Sequence, residues 1–391
     1  MSWEVRSLSE VADFNLGKML DQNKNRGELR PYLANVNVRW GQFDLENLRE
    51  MRFEDRELDR FGLLAGDILM CEGGEPGRCA IWRNQLPGMM FQKALHRIRP
   101  HSCLDSRFLY YSFLQKGRVD GFGGLFTGST IKHLPKEKLA KVEVCFPPLP
   151  EQKRIADTLS AYDDLIENNR RRIALLEEAA RQLYKEWFVR FRFPGHEHVK
   201  IIDGVPEGWT KQNLFELATA TYGHAFKSDL FSDEPIGRPV VRIRDVPDRA
   251  SETWTTEDAP ADKTLENGDF LIGMDGDFHM NYWAGGTAWL NQRVVRLMGK
   301  GRFTTGLLRN SVEQQIKDLN ETITGTTVKH LGAKHLKQIE LLVPPDVLLI
   351  QANDFCDGVR NMVVNLSVGN IQLANARDLL LPKLMSGAIA V

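Results

Sequence analysis

Between residues 147 and 192 the chain places apolar or small side chains at Ile155, Leu159, Tyr162, Ile166, Ile173, Leu176, Ala180, Leu183 and Trp187, four and three positions apart, with Asn169 as the polar interruption. That spacing is a heptad seam and predicts a coiled-coil helix. About 40 residues at 1.5 Å per residue make a rod roughly 60 Å long, more than one compact domain needs to bury an amphipathic face. The pattern predicts a spacer with a body at each end. A single Asn in such a seam costs stability but disfavours other registers, so Asn169 is expected to fix the register.

The same pattern returns further along. Gly128-Ser129-Thr130-Ile131-Lys132-His133-Leu134, followed by Leu139, Glu143, Pro147 and Pro148, is matched 197 positions later by Gly325-Thr326-Thr327-Val328-Lys329-His330-Leu331, Leu336, Glu340, Pro344 and Pro345. That offset carries Tyr162, Leu176 and Leu183 onto Val359, Leu373 and Leu380, and Asn169 onto Leu366, so a second heptad run stays in phase with the first. Upstream the match continues with small changes of offset, as loops of unequal length produce. Trp3, Leu8, Glu10, Ala12 and Gly17 correspond to Trp209, Leu214, Glu216, Ala218 and Gly223; Gly66-Asp67 corresponds to Gly268-Asp269; and Gln92-Lys93 is paired with Gln292-Arg293. The chain reads as a tandem duplication: globular unit, helix, globular unit, helix.

Each globular unit reads as mixed α and β. Residues 63–70 and 264–272 are turn-then-strand patterns with Gly-Asp at the turn, 240–246 alternates as a half-buried strand, and 139–146 and 336–343 are strands delivered to a Pro-Pro stop. Residues 194–208, with three Gly, two Pro and no helical period, read as a linker. The expected division is a first domain over 1–146, the central helix over 147–193, linker and second domain over 194–345, and a distal helix over 346–391. Gly358 and Gly369 in that distal helix cost roughly 1 kcal/mol each relative to Ala, so it is expected to bend or fray.

Composition narrows the class. A length of 391 residues with 42% hydrophobic and 26% charged residues suits two or three soluble domains. Five cysteines with no Cys-x-x-Cys pair favour a reducing compartment, and neither a basic-then-apolar leader nor a run of about 18 apolar residues occurs, so a cytoplasmic protein is expected. The net charge of -1 argues against a strongly basic protein that binds nucleic acid unaided.

Catalytic motifs fail on inspection. Phe146-Pro147-Pro148-Leu149 lacks the amide or carboxylate that would bond a target amine; Gly223-His224-Ala225-Phe226-Lys227-Ser228 lacks the second Gly of a phosphate loop. Asp120-Gly121-Phe122-Gly123-Gly124 has no strand-to-helix context. His196-Glu197-His198 offers two imidazoles without a third ligand, and a solvated linker is the favoured reading.

The residues quoted so far, with the Pro147-Pro148-Leu149-Pro150-Glu151-Gln152 entry to the central helix, the Gly-Asp strands at 66–70 and 268–272 and the closing 379–389 segment, together resemble the DNA-specificity subunit of type I restriction-modification systems over essentially the whole chain. The resemblance implies an α/β (α+β) fold of two similar target-recognition domains separated by two long antiparallel helices forming a coiled coil, a pseudo-two-fold tandem repeat. It also implies no catalytic residues and no cofactor in this chain. The expected partners are double-stranded DNA and two methyltransferase subunits that carry S-adenosylmethionine, with or without nuclease-translocase subunits. At the second helix the sequence departs from the family, with Pro344-Pro345-Asp346-Val347-Leu348-Leu349 in place of the Pro-Pro-Leu-Pro-Glu-Gln entry.

Two reading units at fixed separation call for a bipartite site with an unread gap of about one helical turn, roughly 34 Å between half-site centres. One added turn of helix moves a unit by about 5.4 Å and is expected to change the gap, not the half-sites. Base reading is expected from polar groups in loops that differ between copies: Lys18, Asn37, Arg39, Glu72, Arg78, Gln92 and Lys93 in the first, and His224, Lys227, Arg242, Arg244, Asp275, Asp277, Gln292 and Arg293 in the second. Arg or Lys suits guanine, Asn or Gln adenine, and a carboxylate cytosine. Ser129, Thr130, Lys132 and His133, with Thr326, Thr327, Lys329 and His330, suit either phosphate contact or a plain turn, and both readings stand. Arg170-Arg171-Arg172 on the helix reads as a solvated face. Trp187, Phe188 and Phe191, with Leu379, Leu380 and Leu384, exceed what a two-helix seam covers and are expected to form a partner-binding patch. A stand-alone DNA-binding regulator and a coiled-coil adaptor for protein are the competing readings.

Overall fold

A computed structural model of the chain describes residues 3–21, 25–128, 132–323 and 329–389. The chain divides into two compact units, one made of residues 1–164 and 375–391 and the other of residues 165–374.

In the first unit the chain starts and finishes its globular part on one antiparallel pair, Glu4–Ser7 with Glu143–Phe146. Between them lies a four-stranded sheet in the order Ala12–Leu16, Leu95–Pro100, Ile68–Cys71, Cys79–Ile81. A three-stranded sheet of Arg49–Phe53, Glu28–Leu33 and Met90–Phe91 stands beside it. Helix Ser106–Arg118 is capped by Asp105, whose carboxylate accepts from the Arg107 and Phe108 amides. It buries Phe108, Leu109 and Phe113 against Ile68, Met70 and Ile98.

The second unit repeats this plan. Thr210–Asn213 pairs with Glu340–Val343, and a four-stranded sheet runs Ala218–Tyr222, Val294–Gly299, Phe270–Gly273, Met280–Tyr282. Helix Thr305–Thr322, capped by Thr304, occupies the place of Ser106–Arg118. Its side sheet has five short strands, with Arg238–Val241 and Ala288–Leu290 parallel at the centre. Gly66 and Gly268 share a φ of +94°, a turn conformation that residues with a Cβ rarely adopt. The segment read as a featureless linker holds a short 3-10 turn, His196–His198, and a hairpin of Ile201–Ile202 with Val205–Pro206.

The first long helix runs Leu149–Tyr184 and passes into a π turn, Lys185–Val189. The second runs Asp346–Met385 without a break. The fraying expected at Gly358 and Gly369 is therefore corrected: both glycines lie inside continuous helix, because the apolar face carrying Leu349, Ala352, Cys356, Val359 and Val363 is buried against its unit's core and outweighs their propensity cost.

Within each unit the helix segments pack antiparallel and are tied to the globular part by charge. In the first unit Ile155 and Leu159 share a core with Leu381 and Leu384. There Asp163 accepts from the Tyr111 hydroxyl at 2.6 Å and pairs with Arg377. Burial opposes the Arg377 charge, but Asp163 and Asp378 hold its proton above the usual range. In the second unit Asn169 Nδ2 donates to Asn370 Oδ1 at 2.9 Å. Asn169 thus lies in the seam as the period requires, with Asn370 as its partner. Glu177 of the first long helix accepts from Arg249 at 2.7 Å, and Arg249 also donates to Ser367 of the second at 3.2 Å.

Candidate nucleic-acid interface

At one end of each four-stranded sheet four backbone segments meet through the same hydrogen bonds. In the first unit the Lys18 amide donates to Phe91, Lys93 to Lys18, Glu72 to Ala94 and Leu134 to Glu72, at 3.1, 3.0, 2.9 and 2.7 Å. In the second the His224 amide donates to Leu290, Gln292 to His224, Met274 to Arg293 and Leu331 to Met274, at 2.8, 2.9, 2.9 and 2.7 Å. Gly17 and Gly223 make this crossing possible. A Cβ there would lie 2.5 Å from the Gln92 carbonyl or 2.1 Å from the Asn291 oxygen, so no side chain fits.

The junction fixes which residues are equivalent. Lys18 stands with His224, Gln92 with Asn291, Lys93 with Gln292, Ala94 with Arg293, and Glu72 and Gly73 with Met274 and Asp275. The pairing of Gln92-Lys93 with Gln292-Arg293 is thus displaced by one residue, because matching Gln to Gln ignores the backbone bonds that set the register. A second equivalence lies nearby: the Ala34 amide donates to Asn37 Oδ1 at 3.0 Å and the Arg242 amide to Asp245 Oδ2 at 2.8 Å, each closing a 3-10 turn.

Several residues read from the sequence as base contacts are committed inward. Lys18 is 4% exposed; its ammonium lies over the Phe53 ring and donates to Glu57 and to the Arg52 carbonyl at 2.5 and 2.8 Å. Burial pushes the Glu57 carboxyl up, but Lys18 and the Glu54 amide outweigh it and hold the group below its ordinary value. Asn37 is buried, closing its turn and donating to the Asp44 carbonyl at 3.1 Å. Both side chains are spent on intramolecular bonds. Arg78 bonds the Asn35 carbonyl and pairs with Glu75; Arg242 is half-buried over the Phe231 ring beside Asp245; Lys329 donates to the Asn320 carbonyl at 2.6 Å. Asp275 turns to His330 and Arg293. The Glu57 carboxylate and the Asn35 and Asn320 carbonyls carried no sequence signal, since nothing local marks a group that receives a cation from elsewhere in the chain.

The remaining candidates face solvent or are half-buried. Glu72, Gln92, Lys93 and His133 gather at the first junction, with exposed Lys132 next to them in the chain and Arg39 exposed on the neighbouring hairpin. His224, Gln292, Arg293 and His330 gather at the second, with Asp277 exposed on the adjoining turn and Lys227 and Arg244 exposed beside the side sheet. His224 is 3.6 Å from Glu257. Ser129, Thr130, Thr326 and Thr327 lie outside the described residues.

The residues expected to form a partner-binding patch are largely packed against the unit cores. Phe188 stacks on Tyr184 at 4.7 Å, and Phe188 and Phe191 lie edge-on to Trp209 at 5.3 and 5.9 Å. Phe188 belongs to the core of the second unit, and Trp187 and Phe191 are partly buried against it. Leu380 and Leu384 pack into the core of the first unit, and of the six only Leu379 is largely exposed.

Among the described residues no group of His, Cys, Asp and Glu could hold a metal ion, and no helix is long and apolar enough to cross a membrane. Residues 1–178 match the family model for the type I restriction modification DNA specificity domain. Over these residues, somewhat under half of its length, the chain is similar to the type I restriction-modification DNA-specificity family. The type I restriction enzyme MjaIX specificity subunit of Methanocaldococcus jannaschii is 25% identical over 348 residues, 83% of this chain and 78% of the relative. The EcoBI specificity subunit of Escherichia coli is 30% identical over 142 residues, 36% of this chain and 30% of that one. The crystal structure of a type I restriction-modification S subunit from M. genitalium shares the fold, with a TM-score of 0.58 at 19% identity over 98% of this chain and 96% of that one. The family match ends inside the first long helix, and the shared junction bonds carry the same architecture into the second copy. A specificity subunit supplies DNA-sequence recognition to a larger assembly and is not its enzyme.

Proposed function

We propose that each globular unit reads one half of a bipartite, gapped DNA site through the major groove, while the long helices set the gap and dock two methyltransferase subunits. The observation that carries this reading is the duplicated junction. One scaffold presents Gly73, Lys93 and Ala94 in one copy and Asp275, Gln292 and Arg293 in the other, which is what two different half-sites require. Lys132, His133 and His330 flank both junctions in similar form and suit sequence-independent contact with phosphate. S-adenosylmethionine enters with the methyltransferase subunits, this chain binds none, and the assembly works in the cytoplasm, with or without nuclease-translocase subunits.

Salt separates this from an adaptor that binds protein. For the assembled complex on duplex DNA, six or more phosphate contacts predict a loss of about 1000-fold in affinity between 50 and 200 mM salt. An affinity that barely changes over that range contradicts DNA reading and favours an apolar protein interface.

A further inference from the structure

In one group of three equivalent places at the two junctions, two differ and the third is His in both. The first copy has Gly73, Ala94 and His133; the second has Asp275, Arg293 and His330. In the first, the His133 ring lies directly over Gly73, where a Cβ would sit 2.9 Å from Nδ1. In the second, the Asp275 carboxylate is shared: Oδ1 is 2.6 Å from His330 Nδ1 and Oδ2 is 3.4 Å from Arg293 Nε. The first copy builds the same backbone junction with Gly73 and Ala94 in place of Asp275 and Arg293, so that charged pair is not needed for the junction.

Its geometry suits recognition. The Arg293 side chain is 55% exposed, and Asp275 meets it at Nε; among the described residues no partner engages its two terminal nitrogens. A guanidinium with a carboxylate beside its Nε can present two parallel N–H groups outward, and guanine alone offers two acceptors, O6 and N7, on its major-groove edge. Tethering also removes side-chain freedom before binding, which lowers the ordering cost of the contact. A surface ion pair this exposed adds little to stability, so its worth lies in placement.

We infer that Arg293 reads a guanine in the second unit's half-site and that Asp275, braced by His330, is the positioning residue that aims it. This rests on the half-site reading above. The test uses the full chain in its assembled methyltransferase complex, acting on duplexes that carry its mapped site and every single base-pair substitution of it. Arg293→Gln is expected to lower the preference for one G·C pair in one half-site tenfold or more, leaving the other half-site and the gap unchanged. Asp275→Asn is expected to weaken the same preference by a smaller factor and to add nothing in the Arg293→Gln background, an interaction that a structural role of Asp275 does not produce. Three results overturn the inference: unchanged base preferences in Arg293→Gln; a uniform loss on all duplexes with a shallower salt dependence, which marks a phosphate contact; or an Asp275→Asn effect that persists undiminished without Arg293. If the unaltered complex shows no sequence preference at all, the half-site reading falls with it.

Discussion

Glu313 shows what a single buried charge does in this protein. Its carboxylate meets Lys317 at 2.7 Å, Arg181 at 3.4 Å and Arg309 at 3.6 Å. Burial raises its proton affinity, but the bond from Lys317 and the charges of Arg309 and Arg181 prevail and hold it below the ordinary glutamate value of 4.5. A carboxylate depressed in the folded state contributes stability that is complete above 4.5 and is lost as pH falls through the folded-state value. Unfolding free energy measured from pH 6 downward is therefore expected to fall below about pH 4.5, and Glu313→Gln to flatten part of that fall; equal slopes in the two proteins contradict the assignment. Residue identity was the level at which the sequence misled most. Lys18 and Asn37 look like solvent-facing polar groups in divergent loops, yet one neutralises Glu57 and the other closes a turn. Only the i, i+3 recurrence of Asn37 as Asp245 hinted at a cap, and that signal is shared by many exposed side chains.

At the scale of elements, period was legible wherever an element was long enough to have one. The first seam placed Ile155, Leu159, Ile166 and Ala180 in buried positions, and the π turn at Lys185–Val189 marks where the heptad count stops applying. Two-residue strands such as Trp254–Thr255 and Thr264–Leu265 carry no period, so the five-stranded side sheet could not be read. Propensity failed in the second helix because it is a weak term beside burial. At Gly358, which is exposed in mid-helix, an added Cβ meets nothing within 4 Å. Gly358→Ala is accordingly expected to stabilise by about 1 kcal/mol and raise the melting temperature by roughly 2–4 °C. A lowered melting temperature means that the position has a constraint absent from this account.

For the whole molecule, duplication was the strongest message in the sequence, because the Gly-Ser-Thr-Ile-Lys-His-Leu and Gly-Thr-Thr-Val-Lys-His-Leu segments share an offset with both Pro-Pro stops. Identity alone aligned Gln92 with Gln292 and was one residue out; hydrogen bonds across the junction gave the true correspondence and, with it, the Ala94 to Arg293 difference on which base reading turns. This chain alone is expected to set the site its assembly acts on. The most direct test is genome-wide mapping of methylated adenine in the source organism, with and without this gene. Loss of one bipartite, gapped motif on deletion, with every other methylated motif retained, is the predicted result. A methylation pattern that keeps all its motifs in the deletion strain, while the partner methyltransferase is active, contradicts it.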